Sequence, residues 1–279
     1  MKNLLKPLCA LLLAAVLTAC SAAPAGSSSE DSTQETESTG SSDSKEEAEL
    51  TVFAAASLTE TLEELAKTYE AEHPGITFSF NFDSSGTLQT QIEEGAECDL
   101  FLSAAQKQME ALEEQSLIDS SSRLDLLENK VVLAVPDGNP ADIHSFADIG
   151  TNKCQLIALG NDDVPVGAYS IEILTALGLL DGLESSGKIT YGSNVKEVTT
   201  QIRENSVDCG IVYATDAYSA ELEVAETADE SLCSQVLYPA AVLKNAPHAE
   251  EAAEFLAFLQ GEKAKEVFEK VGFTFLPAA

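Results

Sequence analysis

Residues 50–69 have the sequence LTVFAAASLTETLEELAKTY, in which a short apolar strand leads directly into a helix. The first seven residues, LTVFAAA, are almost entirely apolar, which is typical of a buried strand. After the strand, apolar side chains recur at the spacing of one helix face, at Leu58, Leu62, Leu65 and Tyr69. This stretch therefore predicts one strand–helix unit of an α/β fold.

The same alternation continues through the rest of the chain. Strands are predicted at residues 76–82, 99–103, 131–135, 154–159, 189–191, 210–213 and 236–242. Helices are predicted at residues 87–94, 109–117, 168–177 and 195–204, with two more within 247–271. Strands that alternate with helices predict mostly parallel sheets flanked by helices, and the length of the chain favours two lobes over one.

The N-terminus has the features of an export signal. Lys2 and Lys6 precede an apolar run at residues 8–17, which is shorter than the roughly 20 apolar residues of a membrane span. The run ends in Leu-Thr-Ala-Cys, which resembles the bacterial lipoprotein signal. We therefore expect a signal peptide at residues 1–19 and a lipid on Cys20. The alternative is an ordinary secretory signal in which the cysteine is a coincidence.

Residues 20–49 are predicted to be a disordered tether. The segment from Ser21 onward, SAAPAGSSSEDSTQETESTGSSDSKEEAE, lacks Val, Ile, Leu, Phe and Tyr. Such a composition cannot bury enough apolar surface to offset the entropy of ordering.

The charge excludes several classes of partner. Fifteen basic and 47 acidic residues give a formal net charge of −32. A protein this acidic is not expected to bind nucleic acid or to carry a basic membrane-surface patch.

The cysteine content leaves two interpretations open. Cys9 leaves with the signal peptide, and Cys20 is the expected lipid site, so four cysteines remain: Cys98, Cys154, Cys209 and Cys233. They fit either free buried thiols or two disulfides with three possible connectivities. Their spacing matches no zinc pattern.

Four strand–helix junctions carry residues that suit ligand binding. Ser57 with Glu60 has the spacing of a capping box, so Ser57 either caps its helix or lies at an anion site formed by exposed N–H groups. Residues 83–87 (DSSGT) are either a polar loop with a cap or a second donor site around Ser85. At residues 163–168 (DVPVGA) only backbone N–H groups could contact a ligand. Asn194 has N-cap spacing, which leaves the Val195 N–H without a partner in the helix.

These motifs, taken together and in order, resemble the periplasmic molybdate-binding proteins of ABC importers. The segments are FAAASLTE, SSGTLQTQIEEGAECDLFLSA, DDVPVGAYS, GIVY and GFTF, and the resemblance covers about residues 50–275. It implies the type II periplasmic binding-protein fold, with an oxyanion held by hydrogen-bond donors in a cleft between two lobes. It also implies a binding protein, not an enzyme, with no cofactor.

The resemblance carries over specific site residues by motif: Ser57, Ser85, Val166, Val195 and Tyr213. Molybdenum would be held as the molybdate or tungstate oxyanion, without direct metal ligands from the protein. Val166 stands where the family usually has Ala, Gly86 stands where relatives often have Ser, and Asp83 places a carboxylate near the anion. The sequence does not rank molybdate against tungstate.

The resemblance also implies an organisation and a set of partners. We expect lobe 1 to combine residues 50–133 with 238–279 and lobe 2 to comprise residues 134–237. The partners are an ABC permease and, through the Cys20 lipid, the outer face of the cytoplasmic membrane. We expect a monomer.

Three other functions fit parts of the sequence. An exported serine hydrolase would use Ser57 or Ser85 with a histidine base (His73, His144 or His248), but no G-x-S-x-G motif is present. The same fold could bind sulfate, phosphate or a small organic acid instead. A structural or adhesive lipoprotein would make the junction motifs accidental.

Overall fold

The structure is a computed structural model that describes residues 47–229 and 231–276. The signal peptide, Cys20 and most of the tether lie outside the described residues. Within the described part, no helix has both the length and the apolar character needed to cross a membrane.

Strands and helices alternate along the described chain. The strands are β1 (Ala48–Ala55), β2 (Ile76–Asp83), β3 (Leu100–Leu102), β4 (Leu124–Asn129), β5 (Val131–Val135), β6 (Ile157–Gly160), β7 (Ile189–Gly192), β8 (Cys209–Tyr213), β9 (Glu223–Thr227), β10 (Val236–Val242) and β11 (Thr274–Phe275). The α-helices are α1 (Thr59–Glu72), α2 (Ser85–Glu93), α3 (Gln106–Glu114), α4 (Pro165–Ala176), α5 (Leu180–Ser185), α6 (Val195–Arg203), α7 (Ala214–Ser219), α8 (Ala249–Leu259) and α9 (Glu262–Lys270). Two 3₁₀ helices lie at Ala56–Leu58 and Phe146–Gly150.

The strands form two sheets. The first has the order β11-β4-β10-β3-β1-β2, and the second has the order β7-β6-β8-β5-β9. The chain crosses from the first sheet to the second between β4 and β5 and returns between β9 and β10. The predicted two-lobed α/β fold is therefore confirmed. The exact lobe bounds given from the sequence remain a prediction.

The sheets are mixed, which corrects the expectation of mostly parallel sheets. β1 is parallel to β2 and β3, and β6 is parallel to β7 and β8. β10 is antiparallel to β3 and β4, and β5 is antiparallel to β8 and β9. The difference arises because parallel neighbours are joined by helical crossovers, whereas β5 and β10 enter their sheets from the opposite lobe.

The opening strand–helix unit lies in the core as its pattern predicts. Leu62 and Leu65 are completely buried, and Tyr69 is almost so. The Tyr69 ring packs edge-on against Phe255 of α8, with ring centroids 5.1 Å apart. The predicted apolar face of α1 therefore joins the N-terminal and C-terminal parts of the first lobe. β1 begins at Ala48, two residues inside the segment predicted as tether.

A close backbone approach fixes the start of α4 against the end of β6. A Cβ atom on Gly167 would lie 2.5 Å from the carbonyl oxygens of Gly160 and Asn161. No side chain fits at that separation without a shift of backbone. Gly167 therefore sets the position of the residues that begin α4.

We expect Gly167→Ala to destabilise the protein by about 1–3 kcal/mol, because the new methyl group overpacks against backbone. Gly182→Ala is the matched control, since Gly182 lies in α5 and a Cβ atom there would face open space. The free energy of unfolding of the Gly182→Ala variant should stay unchanged or rise slightly, because alanine favours helix more than glycine does. Urea unfolding measures both, and equal effects would contradict this account of Gly167.

Candidate functional site

A small cavity lies where elements of the first sheet meet elements of the second. Its lining from the first lobe is Ala55, Ala56, Ser57, Asp83, Ser84, Ser85 and Ala104. Its lining from the second lobe is Val164, Pro165, Val195 and Tyr213. The structure thus brings four of the five predicted site residues together, and these lining residues include no Lys, Arg or His.

Val166 is the predicted site residue that does not line the cavity. Its predecessors Val164 and Pro165 do, whereas the Val166 side chain is completely buried. Val166 is the second residue of α4, and the N-cap Val164 makes no side-chain hydrogen bond to the helix. The Val166 side chain therefore does not line the cavity, and a contact through its backbone N–H stays a prediction.

Helix N-termini from both lobes converge on the cavity. α2 begins at Ser85, α4 at Pro165 and α6 at Val195, and all three residues line it. The 3₁₀ turn that leads into α1 contributes Ala56 and Ser57. Helix N-termini present unpaired N–H groups and a partial positive charge, so this convergence suits an anion.

A buried chain of hydrogen bonds orients the Ser57 hydroxyl. The Lys130 N–H donates to Asn129 Oδ1 (2.8 Å), which fixes the orientation of that amide. Asn129 Nδ2 then donates to Thr215 Oγ1 (2.8 Å) and to Tyr238 Oη (3.2 Å). Tyr238 Oη lies 3.0 Å from Ser57 Oγ. Both groups are satisfied when Tyr238 donates to Ser57, which leaves the Ser57 proton for an acceptor in the cavity.

The backbone of Ala104 holds two further side chains of the site. Ser85 Oγ accepts a hydrogen bond from the Ala104 N–H (2.9 Å), so the Ser85 proton remains available. Tyr213 Oη donates to the Ala104 carbonyl at 3.3 Å, across the two lobes. Burial and neighbouring charges hold the Tyr213 pKa well above its usual value, so the phenol remains a donor.

Neither Ser57 nor Ser85 is used as a helix cap. No side chain caps α1, which contradicts the interpretation of Ser57 and Glu60 as a capping box. Ser84 caps α2 by accepting from the Thr87 N–H (3.1 Å), which spares Ser85. The Asn194 cap predicted for α6 is present, with its Oδ1 accepting from the Glu197 N–H (3.1 Å).

Direct contacts join the two lobes around the cavity. Lys196 Nζ bonds both carboxylate oxygens of Glu60, at 2.7 and 2.8 Å. The Gly86 N–H donates to the Asp163 carbonyl (3.0 Å), and a Cβ on Gly86 would lie 2.5 Å from that oxygen. Glycine at position 86 therefore permits the lobes to meet, a role that the sequence did not suggest.

The Asp83 carboxylate, which the sequence places near an anion site, accepts two hydrogen bonds. Its Oδ1 accepts from the Ser84 N–H (2.7 Å) and from Asn194 Nδ2 (3.4 Å). The second of these bonds also crosses between the lobes. Part of the negative charge facing the cavity is thereby balanced locally.

The hydrolase arrangement is not present. His73 Nδ1 lies 3.0 Å from the Tyr69 carbonyl, and His144 pairs with Asp142 at the surface. His248 Nδ1 lies 3.6 Å from Asp99, and none of the three histidines lines the cavity. The described residues also contain no group of three or more His, Cys, Asp or Glu that could hold a metal ion.

Sequence reasoning missed Asn129 and Tyr238. Tyr238 lies in the otherwise apolar strand β10, and the rule that a buried phenol needs a hydrogen-bond partner could have identified it. Asn129 ends a strand that was not predicted, and no sequence signal marks it.

Two α/β lobes, joined by two chain crossings and enclosing a cavity lined by helix N-termini, define a binding protein of the periplasmic type. The chain belongs to the family of bacterial extracellular solute-binding proteins, whose sequence profile matches residues 50–274. It is accordingly an extracytoplasmic solute-binding protein, not an enzyme.

Individual relatives agree with this assignment. YvgL of Bacillus subtilis, named as an ABC transporter substrate-binding lipoprotein, is 40% identical over 83% of this chain and 88% of its own. The molybdate-binding protein ModA of Escherichia coli is 36% identical over 82% of this chain and 90% of its own. The structure of the Azotobacter vinelandii periplasmic molybdate-binding protein matches with a TM-score of 0.74 at 26% identity, over 82% of this chain and 100% of its own. The resemblance found in the motifs is therefore confirmed.

A buried carboxyl group lies beside the contact between the lobes. Asp216 on α7 is almost completely buried, and neither carboxyl oxygen has a hydrogen-bond partner. Burial raises the pKa of Asp216 to about 7, and Glu60 adds to this rise while Lys196, with its Nζ 4.0 Å away, opposes it. The folded protein therefore holds a proton there that the unfolded chain releases near pH 4.

We expect stability to fall as the pH rises from about 4 to about 7, since the folded state binds the extra proton throughout that window. This one group contributes a slope of at most about 1.4 kcal/mol per pH unit. Asp216→Asn should remove that part of the slope. The control Asp137→Asn, at an exposed position, should leave the slope unchanged. Urea unfolding between pH 4 and 8 measures the difference. Identical slopes in wild type and Asp216→Asn would contradict the assignment.

Proposed function

We propose that this protein captures molybdate, and also tungstate, and delivers the ion to the membrane permease of an ABC importer. The observation that carries the proposal is the convergence of helix N-termini and hydroxyl donors on a cavity without a basic side chain. Relatives named as molybdate-binding proteins support the choice of ligand.

A cavity made of neutral donors suits an oxyanion that carries no proton. Ser57 and Ser85 supply O–H groups, and the first turns of α4 and α6 supply N–H groups. Tyr213 would supply its O–H group by turning it from the Ala104 carbonyl to the ion. Molybdate accepts hydrogen bonds on every oxygen, whereas hydrogen phosphate would turn an O–H group toward one of these donors. A donor left unpaired in a buried site costs about 1–3 kcal/mol, which selects against phosphate.

Sulfate is the closest competitor, because it also carries no proton. Its bonds are shorter than those of molybdate, so a cage of donors set for the larger ion would contact it incompletely. Tungstate has nearly the size of molybdate and should bind as well. A small organic acid would leave several of the donors without partners.

Transport requires the protein to close around the ion and then present it to the permease. The bonds from Lys196 to Glu60 and from Gly86 to Asp163 would form on closure and break on opening. The two chain crossings, between β4 and β5 and between β9 and β10, are the natural hinge. Hinge closure around a ligand also excludes water from the donors.

The proposal includes attachment to the outer face of the cytoplasmic membrane. The Leu-Thr-Ala-Cys motif supports a lipid on Cys20, and the polar segment that follows would let a monomer reach the permease while raising its local concentration. No cofactor is needed for this function.

A thermal-shift titration of the purified protein tests the choice of ligand. Molybdate and tungstate should each raise the melting temperature by several degrees, since a ligand at one hundred times its dissociation constant adds about 2.7 kcal/mol. Sulfate and phosphate at the same ionic strength should have little effect. A shift with sulfate or phosphate alone would leave the fold assignment unchanged and contradict molybdate as the ligand. No shift with any oxyanion would contradict the whole proposal.

The hydrogen-bond chain predicts how two substitutions combine. Ser57→Ala should weaken molybdate binding about 10- to 100-fold, because it removes a hydrogen bond to a charged ligand. Tyr238→Phe should weaken binding less, since it removes only the group that orients Ser57. In the double variant the two effects should not add, because they act through one hydroxyl.

Isothermal titration of the two single variants and the double variant measures this coupling. Ser79→Ala, at an exposed position in β2, is the matched control and should bind as wild type does. Additive losses, or wild-type affinity in Tyr238→Phe, would show that Tyr238 does not act through Ser57.

A further inference from the structure

Two cysteines lie side by side in the second lobe, and neither lines the proposed ligand cavity. The Sγ atoms of Cys154 and Cys209 are 3.8 Å apart, and both residues are completely buried. Both are free thiols in the structure. Among the four described cysteines, this is the pair whose sulfur atoms are in contact.

The strand pairing explains why these thiols meet. Cys209 begins β8, and the segment containing Cys154 leads into β6, which is parallel to β8. The register places Cys209 opposite Ile157, three residues beyond Cys154. Asp208 accepts hydrogen bonds from the N–H groups of Gln155 and Leu156, at 2.6 and 3.0 Å, which holds the two segments together. Folding itself therefore brings the thiols into contact.

We propose that Cys154 and Cys209 are a site of disulfide formation in the exported protein. The family places the protein outside the cytoplasm, where thiols meet oxidants. The oxidant is an organic disulfide, either a small one or that of an exported oxidoreductase. One cysteine thiolate attacks it and releases a thiol, and the second cysteine then attacks the mixed disulfide and releases another. Two protein thiols are oxidised, and one external disulfide is reduced to two thiols.

The reaction belongs to the folding of the chain, because both sulfurs are covered in the folded lobe. The sulfurs need a side-chain movement of less than 2 Å to reach the S–S bonding distance of about 2.05 Å. The bond would close a loop that begins at Cys154 and ends 55 residues later. That loop contains the first residues of α4 and of α6, so it would constrain two of the three segments that the second lobe contributes to the cavity, the third being Tyr213.

The other two cysteines have no such partner within bonding reach. Cys98 is buried in the first lobe, where its thiol donates to the Leu100 carbonyl at 3.3 Å. Cys233 is partly buried in the segment that precedes β10. The proposal therefore selects one connectivity and predicts one disulfide, with Cys98 and Cys233 remaining thiols.

Mass spectrometry of the exported protein, denatured in the presence of an alkylating reagent and then digested, tests the proposal. Trypsin releases Cys154 within residues 154–188 and places Cys209 and Cys233 together within 204–244, so a protease that cleaves at acidic residues must separate the last two. We expect a linked pair of peptides that contains Cys154 and Cys209 and is two hydrogen atoms lighter than the free peptides. Alkylated Cys154 and Cys209, even after refolding with oxidised glutathione, would overturn the proposal.

Thermal unfolding with and without a reductant provides an independent readout. The reductant should lower the melting temperature of the wild type by about 5–10 °C, because removing a disulfide increases the freedom of the unfolded chain. It should have no effect on C154S/C209S, whereas the matched control C98S/C233S should respond as wild type does. A reductant effect that persists in C154S/C209S, or one lost in C98S/C233S, would contradict the assignment.

Discussion

The site depends on one buried chain of hydrogen bonds, from the Lys130 backbone through Asn129 and Tyr238 to Ser57. Its members come from both segments where the chain passes between the lobes. Asn129 ends β4 just before the first crossing, and Tyr238 lies in β10 just after the second. Because β4 and β10 are paired neighbours, the residues of this hydrogen-bond chain are held in place by a sheet and not by a loop. A serine at a helix start thereby becomes a donor with a fixed direction.

An acidic protein with an anion site presents an apparent conflict of charge. The formal net charge of −32 opposes the approach of an anion, but exposed charges are screened beyond about 8 Å at physiological salt. The donors act at contact, in a cavity whose lining residues carry one carboxylate, and that carboxylate is itself hydrogen-bonded. Local dipoles therefore decide affinity, and the overall field affects the rate of encounter. The specificity for the ligand follows from neutral donors and their spacing. A basic side chain would have made ligand binding less selective.

The sequence predicted those parts of the fold that have strong local patterns. The helix face of α1 and the apolar strands β5 and β8 are buried as expected. The missed elements, such as β9 (EVAET) and α7 (ATDAYS), are short, and no apolar periodicity in their sequences distinguishes them from loops. The direction of the strands was also missed, since it depends on where the chain crosses between lobes. For the site, junction motifs identified residues that supply donors, but they could not identify Asn129, whose importance comes only from its neighbours in space.

The amide of Asn129 has a second contact, with Thr215 of the opposite lobe. Separation of the lobes would break that bond and leave the amide with Tyr238 as its remaining side-chain acceptor. The polarisation of Ser57 would then differ between the open and closed states. The protein would consequently hold its ion with one strength when shut and another when open, as a carrier that must release its cargo requires. Affinity in such a molecule is a property of its conformation, not only of the residues that touch the ion.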